Sequence, residues 1–438
     1  MKTFLRGLAL AIVVVLSIVA WTVLPWPALL AVAVLFVLWM QLTRVGRQAG
    51  SATSVGISTL PQRIGSSSVV VVGIAGVVAV LVSLLAMGVG YQETLSKSGS
   101  ADTAIVMRGG SASEVSSVLD HASVTAIAEA PGIARDAAGK PIASPELVVA
   151  ANLPLKDGSG DDGSVQVRGI GDEAWTLRPE VKIIAGRKFK PGLRELVAGK
   201  GAQGRFAGLQ PGQQIRLGSQ VWTVAGIFDS GNAMGSELWG DGDIVAAAYR
   251  RGSTRTSVFV RLTDARAFDA FKASLTADPR LQVDVETTLA YFSKQSEAFT
   301  KAISIIGMIV GAIMGLGAVF GALNTMFAAV ATRAREIATL RAIGFRGPPV
   351  VVAVMLETML LAAMGGVLGG LIAWALFNGF SASTLTAGSV GSLSFELRVT
   401  PALLGTGLKW ALAIGFIGGL FPAVRAARLP VTTALRES

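Results

Sequence analysis

The chain has 438 residues, 52% hydrophobic and 15% charged, with no cysteine, one histidine and a formal net charge of +10. Soluble domains carry about 25% charged residues, so much of this surface does not face water. The missing cysteines exclude a disulfide framework and thiolate chemistry. The lone His121, in a polar stretch, reads as a solvated side chain, because transition-metal sites need several His or Cys ligands.

Apolar residues gather in blocks at 8–42, 68–90, 299–331, 350–378 and 401–424, while 91–298 has soluble composition. About 20 apolar residues span a bilayer core as a helix. Each later block supplies one pass, and the first is long enough for two short ones split at Pro25-Trp26-Pro27. The candidate cytoplasmic pieces 1–7, 43–67, 332–349 and 425–438 hold twelve Lys/Arg against only Glu336 and Glu437, which accounts for the whole net charge. Short basic loops retained in the cytoplasm produce that distribution. Nucleic-acid binding would instead need a basic stripe with aromatics on one folded domain, so no nucleic-acid partner is expected.

In chain order, Lys2 and Arg6 precede an apolar run, Leu8–Leu24, that imitates a secretory signal peptide. Ile18 spoils the small-x-small pattern before Ala20, and a second run, Ala28–Met40, follows at once. Residues 1–42 are therefore expected to form a transmembrane hairpin with both ends inside. The stretch 43–67 is polar and basic and reads as a cytoplasmic or interfacial segment, only weakly amphipathic. Residues 68–90 lead outward into 91–298, where Val165–Ile170, Gln214–Leu217, Val221–Ile227 and Ser257–Leu262 read as strands. Asp157-Gly158, Pro211-Gly212 and Asp241-Gly242 supply turns, and Asp264–Leu275 reads as a helix. This is an α+β domain large enough to bury its own core.

The block 299–331 is longer than a bilayer requires, so its N-terminal end, from Leu289, is expected to project as a stalk. A short basic loop at 332–349 lies inside, 350–378 returns outward, 379–400 is a short outer loop, and 401–424 leads back to a basic tail at 425–438. The predicted fold is membrane α-helical, with six spans (an N-terminal hairpin plus a four-helix core) and the α+β domain inserted between the third and fourth.

Gly307, Gly311 and Gly315 recur every four residues, as do Ala362, Gly366 and Gly370. Small residues at that spacing let membrane helices approach closely, within one subunit or between two. In the loop, Ile337, Leu340 and Ile343 recur at i, i+3, i+6, with Gly344 and Pro348 as a helix stop. A short amphipathic helix follows, serving as an anionic-lipid anchor or as a docking element for a cytoplasmic partner. Glu357 and Lys409 are the ionisable residues inside spans; they lie at different depths, so no pair is expected, and Lys409 can snorkel outward. No chain of such groups suggests a proton relay. Asp161-Asp162 and Asp241…Asp243 lie in glycine-rich turns without a nearby histidine and read as turn residues. No G-x-x-x-x-G-K-[ST] phosphate loop occurs in these residues.

Asn324-Thr325-Met326 running into Arg333-Ala334-Arg335-Glu336-Ile337-Ala338 and Leu340-Arg341-Ala342-Ile343-Gly344 resembles the signature of MacB/FtsX-type ABC transporter permeases. Glu357 with Gly365-Gly366, the closing Phe421-Pro422-Ala423…Arg425-Ala426-Ala427-Arg428-Leu429-Pro430…Ala434-Leu435-Arg436, and Ala185-Gly186-Arg187, Pro211-Gly212-Gln213 and Val224-Ala225-Gly226-Ile227 in the middle domain extend the resemblance over about 50–438. The hairpin at 8–42 departs from the usual four-span pattern.

The resemblance implies a non-catalytic, type VII-like permease in the bacterial inner membrane, multi-pass, with its large domain in the periplasm. A dimeric cytoplasmic ABC ATPase would bind ATP and Mg²⁺, so no cofactor is expected in this chain. Further partners would be a second permease copy or paralogue, a periplasmic adaptor and membrane lipids. The loop helix would couple nucleotide-driven closure to the stalk through Arg333, Arg335, Glu336, Ile337, Leu340, Arg341, Ile343 and Gly344, with the apolar ridge inserted in the ATPase and the arginines around its rim. Gly307, Gly311, Gly315, Gly366 and Gly370 would serve helix packing or the dimer. The output would be export of a hydrophobic or peptide-like substrate; a lipoprotein-releasing permease and an FtsX-like scaffold activating cell-wall hydrolases are the alternatives.

Overall fold

The computed structural model describes residues 21, 24–158, 160–385 and 392–428. The first helix of the expected hairpin, the tip of the outer loop and the tail beyond Arg428 lie outside the described residues. In chain order the helices are α1 (Trp26–Leu42), α2 (Arg44–Ser58) and α3 (Ile64–Ser96). Strands β1–β10, among them β1 (Thr103–Arg108), β4 (Lys182–Gly186), β5 (Glu195–Gly199), β8 (Leu238–Asp241) and β10 (Val283–Thr287), then alternate with short helices α4 (His121–Ala128), α5 (Glu173–Leu177), α6 (Lys200–Arg205), α7 (Gly242–Ala248) and α8 (Ala267–Thr276). After them come α9 (Thr288–Thr332), α10 (Ala334–Ala342), α11 (Gly347–Phe377), strands β11 (Ser381–Leu385) and β12 (Ser392–Glu396), and α12 (Pro401–Arg428). The chain divides into two compact units, one of Met1–Met87, Ile303–Gly379 and Arg398–Ser438, the other of Gly88–Ala302 and Phe380–Leu397.

Four helices among the described residues are long and apolar enough to cross a membrane: Ser67–Ser96, Thr288–Thr332, Gly347–Phe377 and Pro401–Arg428. The pair α1 and α2, bent by 99°, adds at most one more span. The bend is built by Thr43, whose backbone is extended and whose hydroxyl accepts from Gly46 N at 2.9 Å, an N-cap that starts α2 afresh. A side chain on residue 46 would place its Cβ 2.4 Å from the Trp39 carbonyl oxygen, so glycine is required there.

The segment 43–67 is thus a regular helix for most of its length. Its buried face is Gly46, Ala49, Ala52, Thr53 and Gly56, packed on α11. That face is made of small residues, which is why an apolar periodicity barely registers. α11 and α12 pack closely: Gly415 lies against Ala362, where an added Cβ would come within 2.4 Å of the alanine Cβ.

The second unit holds a sheet of order β10-β1-β9-β2-β3-β8-β5-β7-β4, with β6 on β7. β2 (Ala143–Pro154) serves both halves: Ala143–Glu146 pair with β9 (Ser257–Arg261), and Leu147–Pro154 pair with β3 (Asp162–Ile170). Each half has its own core. One gathers Val106, Ile127, Val258, Phe271 and Val285, the other Leu147, Val167, Phe206, Trp222 and Leu238. The expected strands appear as β3, β6 (Gln214–Leu217), β7 (Gln220–Asp229) and β9. The helix expected from Asp264 begins at Ala267, because the Asp264 carboxylate accepts from the backbone N–H groups of Arg266 and Ala267 and holds a turn ahead of it.

The helix is longer than the apolar block 299–331: α9 starts at Thr288 and runs 45 residues, and its first residues, up to Ala302, belong to the second unit. The expected short outer loop is a correction. Residues Ser381–Leu385 and Ser392–Glu396 pair as an antiparallel hairpin that belongs to the second unit. Leu393 and Phe395 are buried, Phe395 edge-on to Tyr91 at 5.5 Å, and Ser394 N donates to Ser236 Oγ at 2.9 Å. The apolar Leu393/Phe395 alternation needs a surface to cover, so the loop folds down as strands.

Candidate coupling site

α9 ends at Thr332, Arg333 sits outside helical geometry, and α10 begins at Ala334. At its far end Gly344 takes φ +106°, with Phe345 N–H bonded to the Leu340 carbonyl at 3.0 Å, and α11 then opens with Pro in its first turn. The short helix and its glycine stop stand where the residue pattern puts them.

Its apolar residues do not form one ridge. Ile337 is 5% exposed and packs with Met326, Val330, Val350, Val354, Ala423 and Ala426 of its own chain. Leu340 is half-buried, and Ile343 is 70% exposed. Three residues turn a helix about 300°, so i and i+6 diverge by about 120° around the axis. Ile337 is therefore an internal anchor, and the outward surface consists of Ile343, part of Leu340, and the exposed Arg335 and Glu336.

Arg333 is likewise not a rim charge. Its Nη1 donates to Glu357 Oε2 at 2.8 Å and its Nε to Glu336 Oε2 at 3.0 Å. Glu357, buried within α11, also lies 3.8 Å from Arg63 Nη2, in the 3₁₀ turn that follows α2. A buried charge without a partner is costly, so the intramembrane Glu357 serves as the seat of this ion cluster. Arg341 is half-buried. Lys409 does not snorkel: it is buried, donates to the Leu24 carbonyl at 2.6 Å and lies over the Trp26 ring at 5.1 Å.

The predicted packing glycines all face helices of the same chain. A Cβ on Gly307 or Gly311 would meet Leu85 or Leu81 of α3 at 3.4 and 3.0 Å. On Gly315 it would meet Ile414, on Gly366 Ala411 and on Gly370 Leu404, all on α12. Gly317 and Gly321 have nothing within 4 Å among the described residues.

Sequence reasoning missed a second charge cluster, in the α+β unit where β2 passes from one half-sheet to the other. Arg168 on β3 donates Nε and Nη2 to both oxygens of Glu237 at 2.7 Å each, and Nη1 to Glu114 at 2.7 Å and Glu146 at 2.9 Å. Arg178 holds Glu146 from the other side at 2.5 and 3.0 Å. Ser144, Ser257 and Trp239 donate to the carboxylates. Burial by itself would raise the pKa of Glu146, but Arg178 and Arg168 hold it below the ordinary value. The available signal was a charge set inside an apolar strand, as in Val165-Gln-Val-Arg168-Gly-Ile170. No group of three or more His, Cys, Asp or Glu side chains is placed to hold a metal among the described residues.

Two family models match this chain: a MacB-like periplasmic core domain over residues 67–278, and an FtsX-like permease C-terminal region over 308–431. The chain belongs to the MacB/FtsX-type ABC transporter permeases. Among its relatives is the macrolide export ATP-binding/permease protein MacB of Escherichia coli, 25% identical over 391 residues, covering 85% of this chain and 58% of that protein. The MacB of Bordetella avium is 25% identical over 396 residues, covering 84% and 57%. The chain thus spans less than three fifths of these relatives. The periplasmic region of MacB from Actinobacillus actinomycetemcomitans aligns with a TM-score of 0.33 at 14% identity, over 46% of this chain and 92% of that structure. The two family models place the MacB/FtsX permease features on the α+β unit and on α9–α12, and both leave α1 and α2 uncovered.

Proposed function

We propose that this permease works with a separate, dimeric cytoplasmic ABC ATPase and transmits ATP-driven movement to its periplasmic domain, exporting a hydrophobic or peptide-like substrate. The observation that carries the reading is the length of α9: one unbroken helix of 45 residues begins at the end of β10 (Val283–Thr287) and finishes beside α10. α3, at 33 residues, likewise crosses the division between the units without a break. At the domain end the two are tied together, Ser100 N donating to Thr288 Oγ1 at 2.8 Å and the Thr288 hydroxyl to the Ser100 carbonyl at 3.1 Å. A push on α10 therefore has a stiff covalent route to the domain.

ATP and Mg²⁺ belong to the partner in this reading, since these residues contain no phosphate loop. The permease pairs with a second copy or a paralogue, and a periplasmic adaptor receives the substrate. The names of the relatives, macrolide exporters, support a hydrophobic cargo over lipoprotein release or cell-wall hydrolase activation.

Ile343 is the exposed anchor for the ATPase. Burying an aspartate in its place should cost about 2 kcal/mol or more at the contact, roughly a thirtyfold loss of affinity. Ile343→Asp should then lose ATPase copurification while the protein still inserts. Full retention of ATPase by Ile343→Asp would refute the docking site; altered membrane seating with ATPase retained would make α10 a lipid anchor instead.

A further inference from the structure

Two charged side chains are buried in the helical unit among the described residues, Glu357 and Lys409. Each takes a partner from the same stretch of chain, residues 24–63. Lys409 Nζ donates to the Leu24 carbonyl and sits over Trp26, whose indole fits against Gly405; a Cβ there would come within 3.0 Å of it. At the other end, α2 lies so close to Glu357 that a Cβ on Gly56 would be 3.2 Å from its Oε2. Arg63 approaches the other carboxylate oxygen at 3.8 Å, held by the Thr59 hydroxyl at 2.7 Å, which in turn donates to the Gly56 carbonyl at 2.9 Å. Neither family model reaches this stretch.

Glu357 is thus shared. Arg333, which begins the coupling loop, binds one oxygen, and the strand of contacts from Thr59 through Arg63 reaches the other. A partly open cleft with room for about 10 Å³ lies beside them, lined by Met326, Ala329, Val330, Arg333, Ile337, Val354 and Glu357. That is close to the smallest space a water can occupy. An ion pair over such a gap fixes the loop less rigidly than close packing does.

We propose that residues 24–63 form a strap, clasped at Lys409 and at Glu357, and that Arg63 is a positioning residue that holds the coupling loop 332–346 through the shared carboxylate. Displacing α10 then requires Arg333 to leave Glu357, and the strap sets how readily that happens. The proposal rests on α10 being the coupling element, but its test needs no ATPase.

Hydrogen exchange read by mass spectrometry on the full chain in nanodiscs, without nucleotide or partner, decides it. Arg63→Ala should speed exchange roughly fivefold in both 44–58 and 334–342, with 103–108 and 257–261 unchanged. Thr59→Ala, which removes the hydroxyl that orients Arg63 while leaving Arg63 in place, should do the same to a smaller extent and serves should the arginine variant misfold. Arg63→Lys should restore part of the protection. Glu357→Gln should match Arg63→Ala, and the two combined should add little, because both act through one carboxylate. Acceleration confined to 44–58, or fully additive effects, would overturn the strap. Either result leaves the docking reading standing, since that falls only with the Ile343→Asp copurification.

Discussion

The two buried charge clusters of this protein are closed to different degrees. In the α+β unit, Arg168 is 2% exposed and its guanidinium is saturated by three carboxylates, with further donors from serine, tryptophan and Arg178. In the helical unit, Glu357 has one short bond at 2.8 Å and one looser approach at 3.8 Å, and its arginines are only partly covered. The first cluster ties two half-sheets at the strand they share. The second ties the loop helix that the proposed coupling would move. Full satisfaction suits permanence, because every rearrangement would strand a buried charge; partial satisfaction leaves an alternative within reach.

The sharpest way to break this contrast is to remove the centre of each cluster. Arg168→Met would strand the buried carboxylates of Glu114 and Glu237 and leave Glu146 to Arg178, and should cost about 3–5 kcal/mol, read as a lowered guanidinium midpoint followed by the fluorescence of Trp175 and Trp239, which lie 5.4 Å apart. A loss no larger than that of Glu357→Gln would erase the distinction. Glu357→Gln keeps a hydrogen-bonding side chain and should cost only about 1 kcal/mol, seen as a small drop in the melting temperature of the helical unit.

Acid sharpens the comparison further. Glu146 has a folded pKa below its unfolded value, so its contribution is complete above the ordinary carboxylate range and is lost as pH falls through the folded pKa. Arg168→Met removes one of the two arginines that hold Glu146 below its ordinary value, so the deficit of the variant relative to the wild type should shrink as pH falls from 7 to 5. A constant deficit would mean that the lost stability is packing and not charge. The smallest effect belongs to the surface: Glu195, held at about 2 by the bidentate Arg187, contributes above its ordinary value of 4.5 and loses that between 4.5 and about 2. Arg187→Ala should move its titration up toward 4.5, with little change in midpoint at neutral pH.

Much of the architecture was legible because bilayer and helix geometry are local rules. The apolar block 299–331 foretold a long helix, and Gly344 foretold the end of α10. The loop anchors were legible as a set but not in their roles. Arg333 and Ile337 share the pattern of Arg335 and Ile343, yet the first two turn inward, because which face of a short helix is covered depends on α11 and α12.

By itself, the sequence determined the placement of the apolar helices among the described residues, the main segment of the α+β unit and the family, since each rests on composition or on contiguous motifs. Only the tertiary structure decided which charges meet. Arg168 finds Glu114 and Glu237 from 54 and 69 residues away, and Glu357 finds Arg333 across 24 residues. Pairing at such separations is set by strand register and helix packing, and a charged residue in an apolar run announces a partner without saying where in the chain it lies.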